Sequence, residues 1–281
     1  MNPVVDPGLA VTGSTGRLGG RVARLLSADR VSQRLVVRDL SRAPSLPEAT
    51  TVEAPYDDFE AVRRALHGCS VALMVSGSES STRVEQHKTF IDAAASAGVQ
   101  HVVYTSFYGA APGSTFTLAR DHFATEEHLK ASGMGWTFVR DNLYLDFFPF
   151  LAGEDGVLRG PAGEGRVAAV ALDDIAAALA VVLRDPAAHE SNTYKLTGPD
   201  AITLQEAVAV MSERLGKTFT FQNETIEEAY ASRASYAAPP WQVDAWVSTY
   251  TAIRSGELAG VTGHVERLTG RPPVSLDELL T

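Results

Sequence analysis

The chain lacks most of the features that would place it outside ordinary globular proteins. Of 281 residues only one is a cysteine, Cys69, so no intrachain disulfide can form. Cys69 sits in Leu66-His67-Gly68-Cys69-Ser70-Val71, a helix-to-strand junction, and is expected to be packed rather than reactive. No run approaches the roughly 18 apolar residues of a membrane span. Basic charge is scarce: 24 Lys and Arg against 34 Asp and Glu give a net charge of −10, which argues against a nucleic-acid surface. Residues 1–8, Met-Asn-Pro-Val-Val-Asp-Pro-Gly, show no charged segment leading into an apolar one, so the expected compartment is the cytoplasm.

Catalytic signatures are missing too. The seven histidines form no His-Glu-x-x-His or Cys/His ligand set, so no metal is expected. There is no Gly-x-Ser-x-Gly nucleophile elbow. None of the eight tyrosines is followed four residues later by lysine, which removes the phenol–lysine device of ketone reduction. Its absence argues against alcohol and ketone chemistry.

What is present begins at Gly8. A short apolar run, Leu9–Val11, enters a turn with glycines at 13, 16 and 19, and the pattern then turns helical through Leu18, Val22, Leu25 and Leu26. This is the strand–turn–helix order of a pyrophosphate site. Gly13 is expected to make the tight turn, Gly16 to admit the phosphates and Gly19 to allow close helix–strand packing. The helix N-terminus would then face the anion.

Beyond it, strands are expected at 8–12, 34–38, 50–53, 71–76, 101–105 and 136–140, and helices near 17–27, 58–67, 82–97 and 120–132. The strand runs are continuous and apolar, as parallel strands buried on both faces require. In the third of these helices Val84, Ile91, Ala94 and Ala95 form the expected core stripe. Alternating strand and helix predict a doubly wound α/β parallel sheet with a smaller, mainly helical C-terminal lobe. The domains expected are 1–145 for nucleotide binding and 146–281 for the substrate lobe, interleaved with the first through 166–200. Within the lobe, 146–165 reads as a helix stub and an irregular hairpin. Thr203 and Glu206 read as a capping box opening a helix that Gly216 stops.

Past the second strand the chain reads Val36-Val37-Arg38-Asp39-Leu40-Ser41-Arg42. An arginine there suits a 2′-phosphate and an acidic residue a 2′-hydroxyl. Arg38 comes first and Asp39 points sideways, so NADPH is favoured and NADH is the alternative.

Several blocks resemble the NmrA-like branch of the atypical short-chain dehydrogenase/reductases: Thr12-Gly-Ser-Thr-Gly-Arg-Leu-Gly19, Val37-Arg38 and Met74-Val-Ser-Gly77. Others resemble more specifically the type 2 NAD(P)H:quinone oxidoreductases and their dye-reducing relatives. These are Glu85-Gln-His-Lys88, Ala93–Gly98, Val103-Tyr-Thr-Ser106, Thr125–Gly133, Tyr250–Leu258 and Val265–Pro273. The resemblance implies a Rossmann domain, a small lobe, and a pocket between them where NADPH reduces a flat, electron-poor acceptor. It assigns Gly13, Ser14, Thr15, Gly16, Arg17, Leu18 and Gly19 to the phosphate loop and Arg38 to the 2′-phosphate. Val75, Ser76 and Gly77 fall under the adenosine, and Thr105 and Ser106 near the nicotinamide. The chain departs at Pro55, where relatives carry an aspartate near the adenine, and His122 stands where many relatives carry a lysine.

His122 is the candidate proton donor, since an ordinary imidazole titrates near neutrality. Glu126, one turn on, is expected to orient the ring and favour its charged form; the alternative is a histidine that only stabilises the fold. Phe107, Tyr108, Tyr144 and Phe147 follow strand ends and are candidates for the acceptor pocket. The partner expected is a small aromatic or quinone-like molecule, with no nucleic acid and no membrane; a homodimer stays open. The other reading of the same blocks is a non-catalytic NAD(P)-sensing regulator that acts by binding a protein.

Overall fold

The computed structural model describes residues 8–281; residues 1–7, on which the leader and compartment expectations rest, lie outside the described part. In chain order the elements are β1 (Leu9–Thr12), α1 (Arg17–Ala28), β2 (Gln33–Val37), β3 (Ala49–Glu53), α2 (Phe59–Leu66), β4 (Val71–Met74), α3 (Arg83–Ser96), β5 (His101–Phe107), α4 (Thr117–Ala131) and β6 (Gly135–Asp141). Then follow α5 (Phe148–Leu151), β7 (Val157–Gly160), β8 (Arg166–Val167), α6 (Leu172–Arg184), β9 (Asn192–Leu196), β10 (Ile202–Thr203), α7 (Leu204–Leu215), β11 (Thr220–Asn223), α8 (Ile226–Arg233), α9 (Pro240–Arg254), α10 (His264–Thr269) and α11 (Leu276–Leu279).

Seven strands form one sheet in the order β3-β2-β1-β4-β5-β6-β9. The pairs β3–β2, β2–β1, β1–β4 and β4–β5 are parallel, with Val11 opposite Leu35 on one side and Leu73 on the other. Strand order reverses direction between β1 and β4. The C-terminal ends of β2, β1 and β4 therefore flank the crevice where doubly wound sheets bind ligands.

The chain divides into two compact units, one made of residues 8–106, His122–Arg140 and Ile175–Tyr194, the other of Phe107–Asp121, Asp141–Asp174 and Lys195–Thr281. In the first, Phe90, Tyr104 and Phe138 are fully buried among the small residues of β1, β4 and α3. In the second, Phe107, Phe116, Phe148, Leu158, Met211 and Tyr250 share a separate core.

Two local expectations need correction. In α1, Leu25 is 38% exposed and Ala23 takes its place in the core. In α3 the buried face is Arg83, His87, Phe90, Ile91, Ala93 and Ala94; Val84 is half-buried and Ala95 exposed. The buried face thus includes two polar residues that apolar periodicity does not register. The irregular hairpin is present but short: Ala152 bridges antiparallel to Leu158 and the Gly153 amide donates to the Val157 carbonyl, while β7 pairs in parallel with β11 and β8 antiparallel with β10. The capping box is present as read, with Thr203 accepting from the Glu206 amide and Glu206 accepting from the Thr203 amide.

Candidate functional site

The end of β1 and the start of α1 enclose a loop with little side chain in it. Gly13 has φ of +66°, a conformation other residues adopt at a cost, and a Cβ there would meet Val75 Cβ at 2.9 Å. A Cβ on Gly19 would fall on the Gly13 carbonyl, with Thr12 O 2.8 Å away, so this glycine lets α1 lie against β1. Gly16 differs from both. Its backbone is extended and it is exposed; an added Cβ would meet only Gly13 O, at 3.2 Å. The N-terminus of α1 has no side-chain cap and no acidic residue in its first turn, whereas Asp58, Thr203, Thr225 and Ser275 cap α2, α7, α8 and α11. Ser14 is 3% exposed and its Oγ has no hydrogen-bond partner. An uncapped helix end whose N-cap residue, Gly16, carries no side chain presents a donor set of backbone amides that fits a phosphate.

This loop lines a cavity of about 520 Å³ together with Arg17, Leu18, Arg38, Tyr56, Val75, Ser76 and Gly77. Of the expected loop and strand-end residues, Ser14 lies behind the surface, and Thr105 and Ser106 do not line the cavity. Thr105 Oγ1 instead accepts from the Ser76 amide at 2.8 Å, and so holds a residue that does.

Arg38, exposed at the tip of β2, lines the cavity. Asp39 does not. Its Oδ1 accepts from the amide and hydroxyl of Ser41 at 2.9 and 2.6 Å, capping the 3₁₀ turn Leu40–Arg42. Those bonds hold the Asp39 carboxyl below its usual range. The one acidic side chain at this strand tip is thus committed to the backbone, and the cation beside it faces the cavity.

Tyr56, next to the departure at Pro55, is a further lining residue. The Val75 amide donates to Thr12 Oγ1 at 2.9 Å, Thr12 donates to Tyr56 Oη at 2.5 Å, and Tyr56 donates to the Val75 carbonyl at 2.7 Å. This closed ring ties the ends of β1 and β4 to the segment after β3. Pro55 and Asp57 line the cavity beside it. Their signal was position: they follow a strand's C-terminal end, where such sheets hold ligands.

His122 lies in α4, buried, with Nδ1 2.9 Å from Tyr104 Oη. Burial, followed by Arg83, His87 and Arg140, holds its imidazole well below the ordinary histidine range. Glu126 does not orient it. The Glu126 carboxylate is fully buried, takes Arg140 Nε and an Arg140 terminal nitrogen at 2.8 and 2.5 Å, and accepts from Ser106 Oγ at 2.5 Å. The expectation of a charged, Glu126-supported imidazole is therefore corrected. The carboxylate is neutralised by a guanidinium brought from β6, and the ring is neutral.

Of the candidate acceptor residues, Phe107 is buried edge-on against Phe116 at 4.9 Å. Tyr108 and the Tyr144–Phe147 pair, 5.4 Å apart, are half-buried. Lys195 Nζ lies 5.5 Å from the Tyr108 ring centre. Tyr144 donates to Asp141 Oδ2 at 3.0 Å, and burial raises the Asp141 carboxyl well above its usual range.

Residues 6–238 match the NmrA-like family. The chain is 33% identical over 277 residues to quinone oxidoreductase 2 of Escherichia coli (strain K12), covering 96% of each. The crystal structure of that NADPH-dependent enzyme with NADPH superposes with a TM-score of 0.88, covering 97% of this chain and 98% of the other. An NAD(P)H azoreductase of Xenophilus azovorans is 32% identical over 270 residues, covering 94% and 93%. Citrobacter sp. triphenylmethane reductase complexed with NADP(H) gives a TM-score of 0.86 at 30% identity, covering 97% and 98%. Match and alignments extend across both compact units, and the chain belongs to the NmrA-like family.

Proposed function

We propose that this protein is an NADPH-dependent oxidoreductase that reduces a quinone or a similar flat conjugated acceptor. The observation that carries the reading is the cavity at the β1, β2 and β4 ends, with its bare helix N-terminus, Arg38 facing in and Asp39 turned to its own cap. Relatives named for quinone, azo-dye and triphenylmethane reduction support the acceptor class and favour catalysis over a purely sensing role.

Bound NADPH supplies the hydride. The loop from Gly13 to Gly19 holds the diphosphate with backbone amides. Arg38 pairs with the 2′-phosphate through charge-assisted bonds. The segment Val75–Gly77, fixed by Thr12, Tyr56 and Thr105, supports the adenosine side. His122 donates a hydrogen bond to the acceptor oxygen on which charge grows, which favours the transition state over the ground state. It does so as a neutral imidazole, so the protonated ring is not the acting form.

The test is NADPH oxidation with a panel of quinones and azo and triphenylmethane dyes, alongside NADH. Turnover with one of these classes and preference for NADPH is the expected result. Tight NADPH binding with no turnover across the panel would reject the reductase. In the same assay His122→Ala should lower kcat about 10-fold or more with little change in NADPH affinity. The wild-type rate should show no ionisation of His122 between pH 6 and 8, because the ring is already neutral there.

A further inference from the structure

The charged residues lining the cavity are Arg17, Arg38, Asp57 and Glu79. Two cations suit an anionic ligand. A carboxylate only accepts hydrogen bonds and repels a phosphate, so Asp57 suits a different part of such a molecule, one that donates. Its position says which part. The Ala54 amide donates to the Val37 carbonyl at 2.8 Å, so Arg38 and the segment Ala54–Asp57 leave adjacent strands side by side. Asp58, the next residue, accepts from the Ala61 amide at 2.9 Å and caps α2. Asp57 is exposed and, among the described residues, its carboxylate makes no hydrogen bond or ion pair. The neighbouring wall comes from α3. Tyr56 packs against Phe90 with ring centres 4.6 Å apart, and Gln86, one turn before Phe90, is half-buried and lines the cavity. Its carboxamide likewise has no partner among the described residues. A carboxamide offers a donor and an acceptor side by side. The 6-amino group of adenine and the ring nitrogen beside it present the complementary pair.

We propose that Asp57 and Gln86 are specificity-determining residues that read the 6-amino edge of the adenine in the bound nucleotide. The inference rests on the NADPH reading of this cavity, in which Arg38 holds the 2′-phosphate of the adenosine and so brings the base to this corner. The Gln86 oxygen accepts one amino hydrogen while its NH2 donates to the adjacent ring nitrogen. Asp57 accepts the other amino hydrogen. Ala54 and Pro55, which also line the cavity, offer the base an apolar surface. A base with an oxo group in place of the amino group reverses the pattern. Its carbonyl faces the Asp57 carboxylate, acceptor against acceptor. Rejection then comes from an unpaired, repulsive contact as well as from a lost hydrogen bond. The cavity thereby selects on two separate features, the phosphate on the ribose and the amino group on the base.

The test is fluorescence titration of the full chain with NADPH and with its 6-oxo analogue, reduced nicotinamide hypoxanthine dinucleotide phosphate. The analogue keeps the nicotinamide, the diphosphate and the 2′-phosphate. The wild type should bind it about 10-fold or more weakly than NADPH. Asp57→Asn can turn an NH2 toward the oxo group and should bring the two Kd values within about 2-fold. Gln86→Leu should weaken NADPH about 5-fold and narrow the ratio. Glu79→Gln alters the other carboxylate lining the cavity and should leave the ratio at its wild-type value. Equal wild-type affinity for the two nucleotides overturns the proposal. So does a ratio unmoved by both Asp57→Asn and Gln86→Leu, or one abolished by Glu79→Gln. NADPH binding without base discrimination rejects this proposal alone. No binding of either nucleotide rejects the NADPH reading and this proposal with it, and discrimination without turnover rejects only the reductase.

Discussion

Two neighbouring regions of the first unit treat polar groups in opposite ways. In the loop between β1 and α1 they are left unsatisfied: the α1 N-terminus has no side-chain cap and Ser14 Oγ has no partner. Among β5, α3 and α4 they are paired: His87 joins the Gly77 amide and Thr125, Tyr104 joins His122, and Glu126 takes Ser106 and Arg140. Unsatisfied buried donors are costly, so a fold keeps them where a ligand completes them. A fully connected buried network instead fixes geometry. The first region reads as a place for binding and the second as the support that orients what reacts.

The largest effect should come from breaking the satisfied region. Glu126→Ala leaves the Arg140 guanidinium, partly buried, without its carboxylate. It should cost about 3–5 kcal/mol of stability in urea unfolding, in the range for removing one partner of a buried pair; a cost below about 1 kcal/mol would mean the pair is solvated. The unsatisfied region should respond in binding and not in folding. Gly16→Val puts its side chain where only Gly13 O stands near, so the far-ultraviolet circular dichroism should be unchanged. NADPH binding by calorimetry should weaken about 100-fold or more, equivalent to roughly 2.7 kcal/mol. Retained binding would show the loop to be a turn and nothing else. Arg38→Ala is gentler: about 10-fold weaker NADPH and nearly unchanged NADH by fluorescence titration. Equal losses for both nucleotides would remove the 2′-phosphate assignment.

One effect is absent at neutral pH and shows only in acid. His87 is neutral when folded and, like any exposed histidine, protonates near pH 6.5 when unfolded. Its contribution is complete above about pH 6.5 and is lost as pH falls toward 3, at up to about 1.4 kcal/mol per pH unit. His87→Gln should flatten the fall in unfolding free energy between pH 6 and 4 by about that slope. An unchanged slope would mean the ring charges within the folded protein.

The binding region was legible because its chemistry is local. Three glycines, an apolar strand and Arg38 lie within 30 residues, and the Thr203–Glu206 cap is a four-residue pattern. The supporting region was not. Helical spacing pairs His122 with Glu126, yet the partner that claims Glu126 is Arg140, fourteen residues on and in a strand. Nothing in α3 announces that His87 belongs to its buried face, because apolar periodicity passes over a polar residue whose partners come from other elements. The parallel pairing of β7 with β11, across some sixty residues, escaped for the same reason. Only folding brings such partners together.

The ring of hydrogen bonds among Thr12, Tyr56 and Val75 has a kinetic consequence. An amide at the rim of an open crevice would ordinarily trade its hydrogen with solvent at the pace of loop breathing. The Val75 amide belongs to a circuit in which loosening one bond strands a donor or acceptor at the next. It therefore opens only when the ends of β1 and β4 separate, with the sheet itself. Hydrogen exchange at the Val75 amide is thus expected to be as slow as in the sheet.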